Sequence, residues 1–170
     1  MKKIIFLLVF SLALCLSACG DKSVSSDEML GIMKEKANIN AEMTECGSVS
    51  ADNMTALIGM TGDNDKNYHY YAAEFSENKD GKYRFKKNIK LNNIGWQEFI
   101  SKWNNGYIIV CNNENVSTVQ AVITQKGAEE QTKNISVEQL PFVYYLDMSD
   151  AESDYDIKYI FLDSTGNEIK

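Results

Sequence analysis

The chain alternates short apolar runs with polar turns, and only two stretches after the N-terminus repeat at the helical period. The first run, Ile4–Leu14, is apolar except at Ser11 and comes directly after Met1-Lys2-Lys3. It is too short for a membrane span, which needs about 20 apolar residues. Further on, Met29, Leu30, Met33 and Ala37 share one face at helical spacing. Ser25 and Glu28 fit a capping box, and Lys34 and Lys36 lie where cations favour the helix dipole. A helix is therefore predicted over Ser26–Asn38, its Met/Leu stripe serving either to pack on the domain's own sheet or to meet a partner. Trp96, Phe99, Ile100 and Trp103 fall at i, i+3, i+4 and i+7, with Gln97, Glu98, Ser101 and Lys102 opposite. That spacing predicts a second helix, capped by Asn92 or Asn93 and ended at Asn105-Gly106.

The remaining pattern is that of strands. Met54–Met60, Tyr68–Ser76, Lys82–Lys90, Val116–Thr124, Phe142–Leu146 and Ile157–Leu162 are rich in β-branched and aromatic residues. Asn78-Lys79-Asp80-Gly81 reads as a hairpin turn, since Asp-Gly supplies positive φ. In Lys82–Lys87, Tyr83 and Phe85 face one way and Lys82, Arg84 and Lys86 the other, so one face there is wet. Tyr107–Val110 is a continuous apolar run ending in Cys111, the pattern of a central strand. Ile135–Val137 reads as a short edge strand, and Ile39–Ser50 reads as irregular. The sum is an α+β fold: an antiparallel β-sheet of about six to eight strands with two helices packed on one face.

The residues just beyond the N-terminal run give it meaning. A basic start, an apolar stretch of 7–15 residues and small residues before a cut site make a secretory signal. Leu16-Ser17-Ala18-Cys19 resembles the lipobox of bacterial lipoproteins. The resemblance implies a signal peptide over 1–18, lipidation of Cys19 as the first mature residue, and a short polar tether over 19–26. Residues 27–170 then make a single globular domain. The alternative is a plain secretory signal cut near Ala18. Lipoprotein anchors carry acyl chains, and two or more such chains hold a protein stably at a membrane. The implied localisation is the extracytoplasmic face of the cell membrane.

Charge narrows the partners. The chain carries 17 Lys and Arg against 24 Asp and Glu, a net −7, and loss of Lys2 and Lys3 with the signal takes this to about −9. A domain of that charge is repelled by nucleic acid and by anionic headgroups. The partner expected is an envelope or surface protein, with the membrane reached through Cys19.

Candidate chemistry is sparse. Cys46 and Cys111 remain after processing. In an exported protein the pair is a candidate disulfide closing a loop of about 65 residues, and otherwise two small buried apolar residues. His69 is the single histidine, so a Ser-His-Asp site would have to be assembled around it by tertiary contacts. No cofactor is expected, because no glycine-rich phosphate loop or closely spaced zinc ligand pair is present. Calcium has candidate oxygen ligands in Asp63, Asn64 and Asp65, in Asp147, Asp150, Glu152, Asp154 and Asp156, and in Asp163, Thr165, Asn167 and Glu168. Each of these groups also reads as an ordinary solvated turn. Tyr68, Tyr70, Tyr71, Tyr144 and Tyr145 are candidate sugar-stacking aromatics, although neighbours on a strand point to opposite faces. The leading expectation is a non-catalytic, lipid-anchored interaction protein. A small-ligand or calcium-binding lipoprotein stands second, and a hydrolase using His69 third.

Overall fold

A computed structural model describes residues 23–62, 67–95, 97–150 and 154–169. Among these residues there is one α-helix, α1 (Ser26–Lys36), followed by β1 (Thr44–Ala51), β2 (Met54–Thr61), β3 (His69–Glu77) and β4 (Tyr83–Ile89). The chain continues through β5 (Asn92–Asn93), β6 (Glu98–Trp103), β7 (Gly106–Cys111), β8 (Thr118–Gln125), β9 (Gln131–Ser136), β10 (Phe142–Asp147) and β11 (Tyr155–Leu162). The strands form three antiparallel sheets, ordered β1-β2-β3-β4, β10-β7-β6-β5 and β11-β8-β9. The expected α+β fold, with two helices on one sheet, is thus replaced by a mostly β architecture.

Side-chain alternation stacks these elements in four layers. Met29 and Met33 of α1 pack with Leu57, Ala73 and Phe75 on the outer face of the first sheet. The opposite face of that sheet gives Ala56, Ile58 and Ala72, which meet Trp103, Ile108 and Val110 of the second sheet. The far face of the second sheet gives Ile100, Ile109 and Leu146, which meet Val119, Ala121, Ile123 and Phe161 of the third. The second sheet is therefore covered on both sides, which is why β7 reads as an unbroken apolar run.

α1 forms as its sequence predicts. The Ser25 N–H donates to Glu28 Oε2 at 2.9 Å, and the Met stripe packs on the domain's own sheet. The β3–β4 hairpin also forms, with the Asp80 and Lys82 N–H groups donating to Asn78 Oδ1 at 2.9 Å and Gly81 at φ 68°.

The second predicted helix is instead strand β6; Trp96 lies outside the described residues. Phe99 and Trp103 face the first sheet while Ile100 faces the third. A strand buried on both faces shows no polar alternation, so its apolar positions mimic a helical stripe. Asn104, at φ 47°, opens a two-residue hairpin turn rather than ending a helix. β1, expected to be irregular, pairs with β2 from Ala51↔Met54 back to Thr44↔Met60 across a bulge at Cys46. Its sequence, TECGSVSA, hides the strand because serines occupy the face turned away from Val49 and Ala51.

Polar groups tie the layers together. Glu74 is buried between the first two sheets and accepts from Trp103 Nε1 at 2.8 Å. Ser101 Oγ donates to the Lys90 carbonyl at 2.6 Å and accepts from the Asn92 N–H at 3.0 Å. This pins the crossover from the first sheet to the second.

Candidate functional site

Three sheet edges stack along one side of the molecule. β1 ends the first sheet, β10 the second and β9 the third. Between them lies a groove of about 630 Å³. Its walls are Cys46, Gly47 and Ser48 from β1, Asn134 and Ser136 from β9, and Phe142, Val143 and Tyr144 from β10. The β9–β10 connection adds Glu138 and Gln139. The Phe142 and Tyr144 rings are parallel within 8°, with centroids 6.1 Å apart. Among the described residues, Tyr144 and Leu140 are two of the few large apolar side chains left exposed, at 38% and 40%. Gly47, at φ 147°, lets β1 approach β10 closely, since a Cβ there would stand 3.3 Å from Val143 Cγ2.

The two cysteines lie in different layers as free thiols. Cys46 is half-buried in the layer between the first and second sheets, while buried Cys111 lies in the layer between the second and third. Burial pushes the Cys46 thiol up to about 12, helped by the Glu45 charge. Burial likewise lifts Cys111 to about 11 against the Asn113 backbone donor, with Glu98 adding to the rise. Both stay protonated at neutral pH, and only the thiolate is nucleophilic. At pH 8 we expect iodoacetamide to modify each at least about tenfold more slowly than in urea-unfolded chain, after the higher nucleophilicity of a high-pKa thiolate is allowed for. Peptide mapping after timed alkylation checks this; equal rates in native and unfolded chain would contradict it.

The other candidates are scattered. His69 is exposed at the start of β3, and its ring makes no hydrogen bond or ion pair among the described residues. Of the five tyrosines, Tyr70 packs at a tilt of 46° on Phe99 and accepts from Asn112 Nδ2 at 2.8 Å, with Tyr68 at its edge. Tyr71 packs in the α1 layer, and Tyr145 meets Trp103 edge-on at 5.4 Å. Only Tyr144 reaches the groove, where it is joined by Phe142, a residue that the sequence pattern marked only as part of a strand.

Asp63, Asn64, Asp65 and Glu152 lie outside the described residues, as does Cys19. Asp154 and Asp156 are exposed near the start of β11, and no group of three metal-ligating side chains occurs among the described residues. Asp150 shares a small hollow with Asp147 and Lys133, whose ammonium lies 3.5 Å from the Asp147 carbonyl. The Asp163 turn is closed by its own donors: the Thr165 and Asn167 N–H groups and the Thr165 hydroxyl reach Oδ1 at 2.7–2.9 Å. These donors, the Asn167 N–H first and the Thr165 hydroxyl next, hold the Asp163 carboxyl down at about 2. A depressed acid supports the fold above the ordinary carboxylate pKa near 4, and that support fades as pH falls through about 2. The carboxyl carbon of Asp163 should accordingly titrate near pH 2 by NMR; a midpoint near 4 would mean that the turn is open in solution.

No helix among the described residues is long and apolar enough to cross a membrane. No protein-family model, curated protein or solved structure matches the chain.

Proposed function

We propose that the chain is an exported lipoprotein held at the outer face of the cytoplasmic membrane through Cys19. In this reading its β-domain is a non-catalytic module that binds another envelope protein, and the groove between β1, β9 and β10 is the docking site. The observation carrying the binding reading is the groove itself, where exposed Tyr144 stands with Phe142 and Val143 in a cleft with mostly uncharged walls. Apolar side chains gathered at a concave rim mark interaction sites more often than do scattered ones. The one thiol in the groove, Cys46, is pushed to about 12, the opposite of the activation that nucleophilic catalysis requires. The anchor rests on the Leu16–Cys19 motif and its position after the apolar run.

Two measurements test this. Metabolic labelling with a palmitate analogue should mark the wild-type chain and not Cys19→Ala, and detergent phase partitioning should move the variant to the aqueous phase. In-cell cross-linking followed by affinity capture should return a discrete envelope protein whose cross-links fall on the groove residues. An unlabelled wild-type chain removes the anchor, and cross-links spread evenly over the surface remove the module.

A further inference from the structure

Two hairpin turns fix which backbone groups the edge strands leave free. β6 and β7 are joined by Asn104-Asn105, so Trp103 and Gly106 close the hairpin as a hydrogen-bonded pair. Alternating from that pair, Tyr107, Ile109 and Cys111 direct their N–H and C=O groups at β10, where they meet Leu146, Tyr144 and Phe142. Val143 and Tyr145 must then point their N–H and C=O groups away from the sheet. Asp147 agrees with this parity, since its carbonyl accepts from Lys133 Nζ on the outer side. The β1–β2 hairpin, closed at Ala51 and Met54 through Asp52-Asn53, leaves Ser48 outward by the same count.

The edges also differ in how they are protected. The far edge of the first sheet, β4, carries Arg84, Lys86 and Lys87, the charged cover that natural sheets use against unwanted pairing. β10 reads Phe-Val-Tyr-Tyr-Leu before its terminal Asp, with no charge until its end. An apolar edge left without such cover, beside a cleft, suits a strand that is meant to be extended.

We infer that the groove takes an extended segment of a partner polypeptide by strand addition to β10, its backbone pairing with Val143 and Tyr145. Alternate side chains of the segment then fall against Phe142 and Tyr144 or toward the β1 wall at Ser48. The donor–acceptor repeat of a strand matches these free groups at about 6.8 Å intervals, two residues apart. Glu138 is the single charged side chain among the groove residues, so the segment is neutral or basic rather than acidic. The inference rests on the binding-module reading above and specifies its partner's chemistry.

The test pans a random dodecapeptide phage library on the full chain in detergent, then measures the enriched peptides by fluorescence polarisation and amide hydrogen exchange. The expected result is enrichment of neutral or basic peptides that protect the Val143 and Tyr145 amides. Val143→Pro removes one outward N–H and no bond to β7, a change that edge strands tolerate. It should weaken binding at least tenfold while leaving the circular dichroism spectrum intact. If that variant fails to fold, exchange protection on the wild-type chain and the loss of affinity in Tyr144→Ala still decide. Absence of enriched peptides, or protection elsewhere, overturns strand addition. So does binding of a chitin-oligosaccharide panel to Tyr144 without amide protection, or self-association of the chain through β10 in sedimentation. If in-cell cross-links still map a partner elsewhere on the domain, the module reading survives and strand addition alone has failed; if none form, both fail.

Discussion

Trp103→Ala is expected to destabilise the domain by about 3–5 kcal/mol, the range for deleting a buried Trp or Phe. This is a large part of the 5–15 kcal/mol that typically holds a domain folded. Trp103 is 3% exposed and fills the layer between the first and second sheets, edge-on to Tyr145 at 5.4 Å. Its indole N–H is also the donor to buried Glu74 at 2.8 Å, so truncation strips a carboxylate of its buried partner as well as leaving a cavity. Lys87 lies 3.6 Å from Glu74 but is 65% exposed, and an ion pair of that kind contributes little. The two costs can be separated. Trp103→Phe keeps most of the ring and loses the donor, which should cost about 1–3 kcal/mol. Combining it with Glu74→Leu should cost less than the two single changes together, because the stranded carboxylate is gone. Urea unfolding of the set checks this, and strict additivity would show that the hydrogen bond carries no weight.

Gly106→Ala should destabilise by about 1–3 kcal/mol or more, the cost of overpacking a filled site. A Cβ at position 106 would fall on the Leu146 carbonyl oxygen and stand 2.8 Å from the Tyr145 ring. The oxygen belongs to the backbone of β10, so relief requires that strand to move off β7. The expected signature is local: amides of Phe142, Tyr144 and Leu146, which point at β7, should exchange faster, while those of Ala56 and Ile58 in the first sheet hold. Because β10 forms one wall of the groove, the same substitution should weaken docking there. An unchanged melting temperature with unchanged exchange along β10 would refute the argument.

Legibility followed the number of faces that each element buries. The capping box at Ser25 and Glu28 and the Asn78–Gly81 turn depend on neighbours in sequence, and both formed as read. β3, β4, β8, β10 and β11 declared themselves through aromatic and β-branched content, within a residue or two of their observed bounds. β6 did not, because Phe99, Ile100 and Trp103 are buried by two different sheets and their spacing imitates a helix stripe. β1 did not, because its serines face away from the apolar layer. The groove was illegible for a different reason. Cys46 is far in sequence from Glu138 and Phe142, and only the stacking of three edges brings them together.

By itself the sequence determined part of the local structure: the helix capped at Ser25 and Glu28, the tight turn at Asn78–Gly81, and strands where β-branched and aromatic residues dominate. The tertiary structure decided which strand pairs with which. β10, lying between β9 and β11 in the chain, leaves their sheet to pair with β7. It also decided which edges remain open and which side chains share a layer. Local patterns are written by propensity and period, which act over a few residues. Pairing is settled by burying both faces of the central sheet at once, a condition that no single segment can express.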